Sequence, residues 1–476
     1  MFKNFIGGEW IDGKSERPNI NPSDVTDIVG LYAEATNEQA NAAVEAAVKA
    51  APDWGASTPQ QRFDVLDFIG TEILARREEL GRLLAREEGK ILPEATGEVV
   101  RAGYIFKFFA GEAVRQAGEH VKSVRPGVDI DVLRHPIGIV GLISPWNYPI
   151  AIPSWKIAPA LAFGNAVVLK PADLAPGCSW ALAEIISRSG LPRGVFNLVM
   201  GPGQTVGKAI VEHPGSDGIS FTGSVEVGRQ IAAQCAQRMK RVQLEMGGKN
   251  PLVVLDDTDL NVAVDAAVNG SYFSTGQRCT ASSRLIVTER IHDRFVAATV
   301  ERLKGLKVDD ALASGTEMGP VVDGEQIQKD LEYVRVAERE GGRIAYGGSR
   351  LDRAKKGFYM APALITETSN SMKINREEVF GPVASVIRVK DYDEALSVAN
   401  DTPFGLSAGI CTTSLKHASH FRDHSQAGMV MVNLPTAGVD YHVPFGGRKG
   451  SSYGTREQGR YAIEFYTVVK TCYTAP

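Results

Sequence analysis

Short apolar runs alternate with helical stretches from Gly138 onward, and this alternation restricts the fold more than any other feature of the chain. The apolar runs cover 138–144, 166–170, 195–199, 218–221 and 251–255. Helical patterns fill the intervals, over 154–162, 179–189, 204–212 and 226–238. Strands that alternate with helices build βαβ units and therefore a parallel sheet, which binds ligands at the carboxyl ends of its strands. Because a second alternation follows over 260–428, we predict an α/β fold with two parallel sheets.

The segment before this alternation has a mainly helical pattern. A short strand and turn are predicted over 5–13, and Thr36 with Gln39 forms a capping box that begins a helix. A single long helix is predicted over 61–88 and another over 92–117. None of these elements indicates a function.

Two further segments have strand character but no hairpin partner close in sequence. Residues 128–132 alternate between apolar and acidic side chains, and 465–473 near the carboxyl terminus are rich in β-formers. We predict that they belong to a flap that joins subunits. An edge hairpin within one chain is the alternative.

Composition excludes several classes of protein. A chain of 476 residues with a net charge of −4 is expected to form more than one domain and lacks the basic surface that nucleic-acid binding requires. No apolar run is long enough to span a membrane, and no signal peptide is evident, so we expect a cytoplasmic protein. We predict neither disulfides nor a metal site, because the cysteines are odd in number and show no metal-binding spacing: Cys178, Cys235, Cys279, Cys411 and Cys472.

Cys279 is the strongest candidate for a catalytic group. A thiol is a strong nucleophile only as the thiolate, and Cys279 lies in a small, polar setting next to Arg278. A lone cysteine is more often a small buried hydrophobic residue. Three other motifs favour catalysis, namely Pro-Trp-Asn ending at Asn147, Glu-Met-Gly-Gly beginning at Glu245, and the segment 377–382 with Glu378.

Together, in order and in spacing, these motifs resemble the aldehyde dehydrogenase superfamily, and the likeness covers almost the whole chain. The resemblance implies two Rossmann-like parallel-sheet domains and a small bridging β flap, assembled as a homodimer or homotetramer. An NAD(P)-binding domain is expected over 1–120 and 138–247, a catalytic domain over 248–450, and the oligomerisation flap over 121–137 and 463–476.

The resemblance also implies a covalent oxidation of an aldehyde to an acid. Cys279 would add to the aldehyde carbon, and Asn147 with the backbone N–H of Cys279 would stabilise the resulting oxyanion. Glu245 would activate the water that hydrolyses the thioester, which argues against coenzyme A as the acyl acceptor. Lys170 is assigned to both the catalytic and the cofactor sites. The alternative is that the protein is a non-catalytic, structural relative of these enzymes. Loss of Cys279, Glu245 or Asn147 would have favoured that alternative, but all three are present.

The cofactor site lacks the usual dinucleotide fingerprint. Gly223 and Ser224 follow an apolar strand and open a helix, where they can meet a pyrophosphate, although a simple Ser-capped helix reads the same way. Asp173 ends another strand and can accept from the adenosine ribose, but it leaves the choice between NAD and NADP open. The resemblance adds further cofactor residues: Ser144, Trp146, Lys170, Gly203, Glu378 and Phe380.

The substrate is predicted from the loop over 433–443 and the segment over 450–466. Both are most similar to the bacterial α-ketoglutaric semialdehyde (2,5-dioxovalerate) dehydrogenases, with succinic semialdehyde or a broad range of aliphatic aldehydes as alternatives. Arg278 is predicted to bind the substrate carboxylate, or otherwise to hold the cysteine loop. The full set of predicted substrate residues is Trp155, Arg278, Gly438, Val439 and Phe445.

Overall fold

The computed structural model describes all 476 residues. Its strands are β1 (Asn4–Ile6), β2 (Glu9–Ile11), β3 (Ser15–Asn21), β4 (Asp24–Glu34), β5 (Glu119–Lys122), β6 (Asp129–Pro136), β7 (Ile139–Ile143), β8 (Ala166–Lys170), β9 (Phe196–Leu198), β10 (Gly218–Thr222), β11 (Arg241–Glu245), β12 (Asn250–Val254), β13 (Ser282–Thr288), β14 (Arg343–Tyr346), β15 (Ala363–Thr366), β16 (Val383–Val389), β17 (Ser407–Cys411), β18 (Met429–Val432), β19 (Ser452–Tyr453) and β20 (Thr467–Thr474).

The α-helices lie mostly between these strands. They are α1 (Asn37–Gly55), α2 (Pro59–Ala75), α3 (Arg77–Glu88), α4 (Leu92–Val114), α5 (Ala151–Ala162), α6 (Gly177–Ser187), α7 (Lys208–Glu212), α8 (Val225–Gln237), α9 (Leu260–Tyr272), α10 (Glu289–Lys304), α11 (Gly324–Arg339), α12 (Lys373–Arg376), α13 (Tyr392–Asn400), α14 (Leu415–His424) and α15 (Ile463–Tyr466). None of them combines the length and the apolar character needed to cross a membrane.

Two large sheets organise the molecule, as the alternating pattern predicts. The first has eight strands in the order β19-β11-β10-β7-β8-β9-β1-β2, and its five central strands are parallel. The second has seven strands in the order β14-β15-β16-β13-β12-β17-β18 and is parallel from β15 to β18. The predicted α/β fold with parallel sheets is confirmed. The chain passes from the first sheet to the second between Glu245 and Asn250.

Burial explains why the central strands read as continuous apolar runs. All residues of β8 are buried, as are all residues of β12, because helices cover both faces of each sheet. On the first sheet, α1, α7 and α8 pack on one face, while α2, α4, α5 and α6 build the larger core on the other. This arrangement leaves the carboxyl ends of the central strands facing loops rather than core.

Several predicted elements differ from the structure. The single helix predicted over 61–88 is wrong: α2 and α3 are separate helices, and Arg76 between them pairs with Glu79 and Glu184, each at 2.7 Å. The helix predicted over 204–212 begins as a π-helical turn over Gly203–Gly207 before α7. The β3–β4 hairpin has no counterpart in the predictions, because its strands are largely exposed and contain bulges that interrupt the alternation.

The two strand segments outside the large sheets pair within the chain. β20 pairs along its whole length with β6, and β6 forms a hairpin with β5, which gives a three-stranded sheet in the order β20-β6-β5. The prediction that these segments lack a hairpin partner is therefore wrong. The sequence did not reveal β5 because its residues have no apolar pattern. The outer edge of β20 has no partner strand, and Val469 in this strand is 57% exposed. A contact with a second subunit stays a prediction.

Candidate active site

Cys279 lies in a loop with an unusual backbone that follows α9. Ser274, Thr275 and Gly276 all have left-handed conformations, with φ of 51°, 57° and 67°. A Cβ on Gly276 would lie 2.8 Å from the carbonyl oxygen of Ser271, so only glycine fits there. These three residues turn the chain away from α9 and lead it to the nucleophile.

Side chains from both sheet layers hold this loop. Glu94 of α4 accepts from the backbone N–H of Ser274 at 3.1 Å and from its hydroxyl at 3.2 Å. Asn147 Nδ2, beyond the end of β7, donates to the carbonyl oxygen of Gln277 at 2.9 Å. Asn250 Nδ2, at the start of β12, donates to the carbonyl oxygen of Cys279 at 2.8 Å. The cysteine loop therefore closes the space between the two sheets.

Asn147 is buried and firmly positioned. The backbone carbonyl oxygen of Asn147 accepts from Lys90 Nζ at 2.8 Å, and Lys90 forms a buried ion pair of 2.6 Å with Glu98. A carboxamide has two N–H donors, and Gln277 accepts from Asn147 only once. The second N–H is free for another acceptor, so the geometry is compatible with the predicted oxyanion donor.

The thiol of Cys279 is free and protonated at neutral pH. Burial raises its pKa to about 12, and the nearby charges of Glu378 and Glu245 act in the same direction. A negative charge next to a thiol disfavours the thiolate. In this state of the protein, a base must therefore remove the proton before Cys279 can act as a nucleophile.

Glu245 ends β11 and is 2% exposed. Its Oε2 accepts from the hydroxyl of Ser452 at 2.6 Å, whereas its Oε1 is buried and has no hydrogen-bond partner. Burial raises the pKa of this carboxyl group well above the usual range, and the charge of Glu457 adds to the shift. Glu457 is itself paired with Lys156 of α5. A buried carboxylate with one oxygen free has the properties of a general base.

Three residues predicted to contact the cofactor lie together near Cys279. Glu378 Oε1 accepts from the backbone N–H of Gly248 at 2.8 Å, and burial raises the pKa of Glu378. The ring of Phe380, which has a φ of 70°, meets that of Trp146 edge-on with centroids 5.4 Å apart. No group of acidic, cysteine or histidine side chains in the molecule is arranged to hold a metal ion.

A cleft lies at the carboxyl ends of the first sheet, where the sequence predicts the dinucleotide. It has a volume of about 320 Å³ between β7, the π-helical turn that begins at Gly203, and α8. Ser224 caps α8 by accepting from the backbone N–H of Val227 at 3.4 Å, and Gly223 precedes it. Ser144 directly follows β7 and Thr222 ends β10, and the hydroxyl oxygens of both are buried without partners. Orphaned hydroxyls beside a helix amino terminus are suited to bind phosphate oxygens.

Lys170 and Asp173 are also brought together. Lys170 ends β8, and its Nζ lies 2.8 Å from Asp173 Oδ1 in a partly buried ion pair. The Asp173 carboxylate is thus oriented by Lys170 at the strand end where the sequence predicts the adenosine ribose.

The predicted substrate residues have mixed outcomes. Trp155 and Phe445 form one aromatic wall, with ring centroids 5.5 Å apart. Gly438 and Val439 lie in the irregular loop over 433–443, where Gly438 has a φ of 93° and open space beside it. Arg278 donates to the carbonyl oxygens of Asn269 and, at 3.2 Å, Gly270 at the end of α9. Arg278 therefore holds the cysteine loop, which is the alternative that the sequence left open.

Five contributing residues, namely Ser452, Lys156, Glu457, Arg101 and Gln458, were not predicted from the sequence. Ser452 binds Glu245, Lys156 neutralises Glu457, and Arg101 lies close to Trp155 and to Gln458. Each of them is distant in sequence from the residue that it contacts, and no local motif marks it.

The chain is similar to known proteins over almost its whole length. The model of the aldehyde dehydrogenase family matches residues 10–472. An alpha-ketoglutarate semialdehyde dehydrogenase of Haloferax volcanii is 43% identical over 99% of this chain and 98% of its own length. An alpha-ketoglutaric semialdehyde dehydrogenase of Bacillus subtilis is 42% identical over 100% of this chain and 98% of its own length.

A solved structure is also similar over nearly its full length. Betaine aldehyde dehydrogenase from Staphylococcus aureus, in complex with NAD+, superposes with a TM-score of 0.97 at 36% identity, over 100% of this chain and 95% of that chain. The predicted fold and the predicted resemblance are both confirmed. The chain belongs to the aldehyde dehydrogenase family and is an oxidoreductase that acts on aldehydes.

Proposed function

We propose that this enzyme oxidises α-ketoglutaric semialdehyde to 2-oxoglutarate with NAD+ or NADP+. The observation that carries the chemistry is the Cys279 loop, which Asn147 binds and whose thiol lies within electrostatic range of Glu245. The substrate assignment is supported by relatives of that activity at 42% and 43% identity over nearly the full length.

The first half of the reaction forms a covalent bond at Cys279. A base removes the thiol proton, and the sulfur then adds to the aldehyde carbon, whose oxygen becomes an oxyanion. The free N–H of Asn147 and the backbone N–H of Cys279 donate to that oxygen; one such donor contributes about 10²–10³ in rate. When bound, the nicotinamide cofactor supplies the hydride acceptor, which leaves a thioester on Cys279.

The second half releases the acid. Glu245 accepts a proton from water through its free Oε1, and the water oxygen attacks the thioester carbon. The carbon–sulfur bond breaks, and Cys279 returns as a thiolate or thiol. The raised pKa of Glu245 makes it a stronger base than an exposed carboxylate, while Ser452 keeps it oriented.

The residues that fit the cofactor occupy two regions. Ser144, Thr222 and Ser224 would bind its phosphates at the carboxyl ends of the first sheet. Asp173 would accept from the adenosine ribose, and the group that includes Glu378 would contact the nicotinamide half.

We further propose a homodimer or homotetramer that works in the cytoplasm. All five cysteines are free thiols, which suits a reducing compartment. The open edge of β20, with exposed Val469 and Tyr473, is suited to contact another subunit.

Replacing the nucleophile tests the covalent mechanism. Cys279→Ala should abolish aldehyde oxidation, because no nucleophile remains. It should retain cofactor binding, because the cleft proposed for the dinucleotide lies at the loops of the first sheet and not at the cysteine loop. Steady-state reduction of cofactor and calorimetric titration with NAD+ measure the two properties. Cys472→Ala, which removes another half-buried thiol, is the matched control. Residual oxidation above a few per cent in Cys279→Ala would reject the thiol mechanism.

Replacing the base should separate the two halves of the reaction. Glu245→Gln should give about one reduced cofactor per active site and then stop, because the thioester cannot be hydrolysed. Mass spectrometry of the stalled protein should show the acyl group on Cys279. Glu377→Gln, a change of an exposed acid, is expected to turn over continuously. Continuous turnover of Glu245→Gln at the wild-type rate would contradict the role of Glu245.

The raised pKa of Cys279 predicts a steep pH dependence of its alkylation. Without cofactor, the rate of reaction with iodoacetamide should rise about tenfold per pH unit between about pH 7 and about pH 10, because the thiolate fraction rises in that proportion below the pKa. Glu378→Gln should speed alkylation at a fixed pH, since it removes a negative charge near the thiol. Peptide mapping measures the rate, and an unchanged or slower rate in Glu378→Gln would contradict the assigned charge effect.

Changes in β20 test the assembly. Removing residues 467–476 should reduce the molar mass seen by light scattering to that of a smaller assembly or a monomer. Val469→Glu keeps the pairing with β6 but places a charge on the exposed surface, and it should weaken assembly while activity per folded chain is retained. Unchanged molar mass in both variants would reject the flap as a subunit contact.

A further inference from the structure

Arg101 is a partly buried arginine without an acidic partner. No carboxylate oxygen lies within 4.0 Å of it, although thirty-two other ion pairs of that kind are present in the molecule. Of its N–H groups, only Nη2 has a protein acceptor, namely Gln458 Oε1 at 3.0 Å, while Nε is buried without a partner. Since an unsatisfied buried donor costs about 1–3 kcal/mol, such a group in a folded protein needs an explanation.

Two more unpartnered donors adjoin Arg101. Its guanidinium carbon lies 5.6 Å from the centroid of the Trp155 ring, and the Nε1 of Trp155 is buried without an acceptor. The Nε2 of Gln458 is buried without an acceptor as well. Trp155 is 6% exposed and Gln458 is fully buried, so bulk water does not satisfy these groups. The donor cluster of Arg101, Trp155 and Gln458 thus has an excess of N–H groups and lacks an acceptor.

The donor cluster lies between the nucleophile and the loop over 433–443. Burial lowers the pKa of Arg101, and the ionisable groups of Tyr148, Glu98, Asp440 and Cys279 lie close enough to act on that pKa in the opposite direction. One turn farther along α4, Tyr104 stacks on Tyr441 of the loop with centroids 5.9 Å apart. This face of α4 therefore extends from Cys279 to the outer loop.

Of the carboxylates near Arg101, Asp440 is exposed and lies beyond 4.0 Å, and the two buried ones are engaged elsewhere. Glu98 is engaged by Lys90 and by the backbone N–H groups of Ile150 and Ala151. Glu457 is engaged by Lys156 and Ser220. Arg278, the other arginine near the thiol, donates through Nη2 to the carbonyl oxygens of Asn269 and Gly270 at the end of α9, although its Nε is also buried without an acceptor.

We propose that the donor cluster binds the terminal carboxylate of the substrate, with Arg101 as the residue that selects aldehydes bearing a carboxylate. A planar guanidinium matches a carboxylate in a two-point contact, and such charged hydrogen bonds are stronger than neutral ones. The Trp155 and Gln458 N–H groups supply further donors to the carboxylate and the adjacent 2-oxo group. The identity of the aldehyde rests on the proposed function, whereas the recognition of a carboxylate rests on the cluster.

Matched arginine variants test this inference. Arg101→Met keeps the length and packing of the side chain and removes its charge. The ratio of kcat/KM for α-ketoglutaric semialdehyde to kcat/KM for pentanal should fall at least about tenfold, mainly through KM. Arg101→Lys should recover part of the ratio. Arg278→Met, the same change in the loop-holding arginine, should lower both values together. A loss in Arg101→Met that is equal for both aldehydes would show a structural role and overturn the inference.

Binding of the product gives a second measurement that does not depend on turnover. Titration of the wild-type enzyme with 2-oxoglutarate should show binding that weakens with added NaCl, and Arg101→Met should weaken it at least about tenfold. Unchanged product affinity in Arg101→Met would overturn the inference.

A panel of aldehydes separates this inference from the proposed substrate. If wild-type enzyme prefers succinic semialdehyde to α-ketoglutaric semialdehyde and Arg101→Met removes that preference, the donor cluster is confirmed and the proposed substrate is wrong. If wild-type enzyme prefers no carboxylated aldehyde to pentanal, both are wrong.

Discussion

The anchoring of the cysteine loop is the constraint on which the rest of the site depends. Three consecutive left-handed residues are unfavourable for an isolated chain, and they persist because Glu94, Asn147 and Asn250 bind the loop from three separate elements. The first two belong to the layer of the eight-stranded sheet, whereas Asn250 begins the seven-stranded sheet. The nucleophile is therefore positioned only when both sheets are folded and packed together.

Burial of acidic groups controls the reactivity of this site. Burial raises the pKa of Cys279, Glu245 and Glu378, and the charges of the two glutamates further disfavour the thiolate of Cys279. The thiol is consequently weakly acidic, and Glu245 is more basic than an exposed glutamate. Lys156 offsets part of the rise in the pKa of Glu245, since it pairs with Glu457, whose charge contributes to that rise. A thiol that must lose its proton before it reacts, rather than a permanently ionised thiolate, is the consequence of this environment.

Elements of the fold could be predicted where a few neighbouring residues determine them, and not where residues distant in sequence do. β8 was predicted with its observed bounds, because a fully buried parallel strand is a continuous apolar run between turns, and the Thr36 capping box was predicted from four residues. The break at Arg76 was missed because it depends on pairing with Glu184, which is distant in sequence. The hairpin of β5 and β6 was missed for a related reason: β5 is exposed and polar, so only its partner strands define it.

The candidate site shows the same limit more sharply. Cys279 and Asn147 lie in loops with special backbone requirements, and Glu245 ends a strand just before a pair of glycines, so each carries a motif of neighbouring glycine or proline residues. Arg101 has no such signature, since it occupies a regular position in α4 and differs from other helical arginines only in what surrounds it. The sequence favoured Arg278 because it is the cation nearest to the nucleophile in the chain. In the structure, Arg278 instead donates to a carbonyl oxygen at the end of α9 and so holds the cysteine loop. Substrate selection here is a property of α4, α5 and the Gln458 segment brought together by the fold.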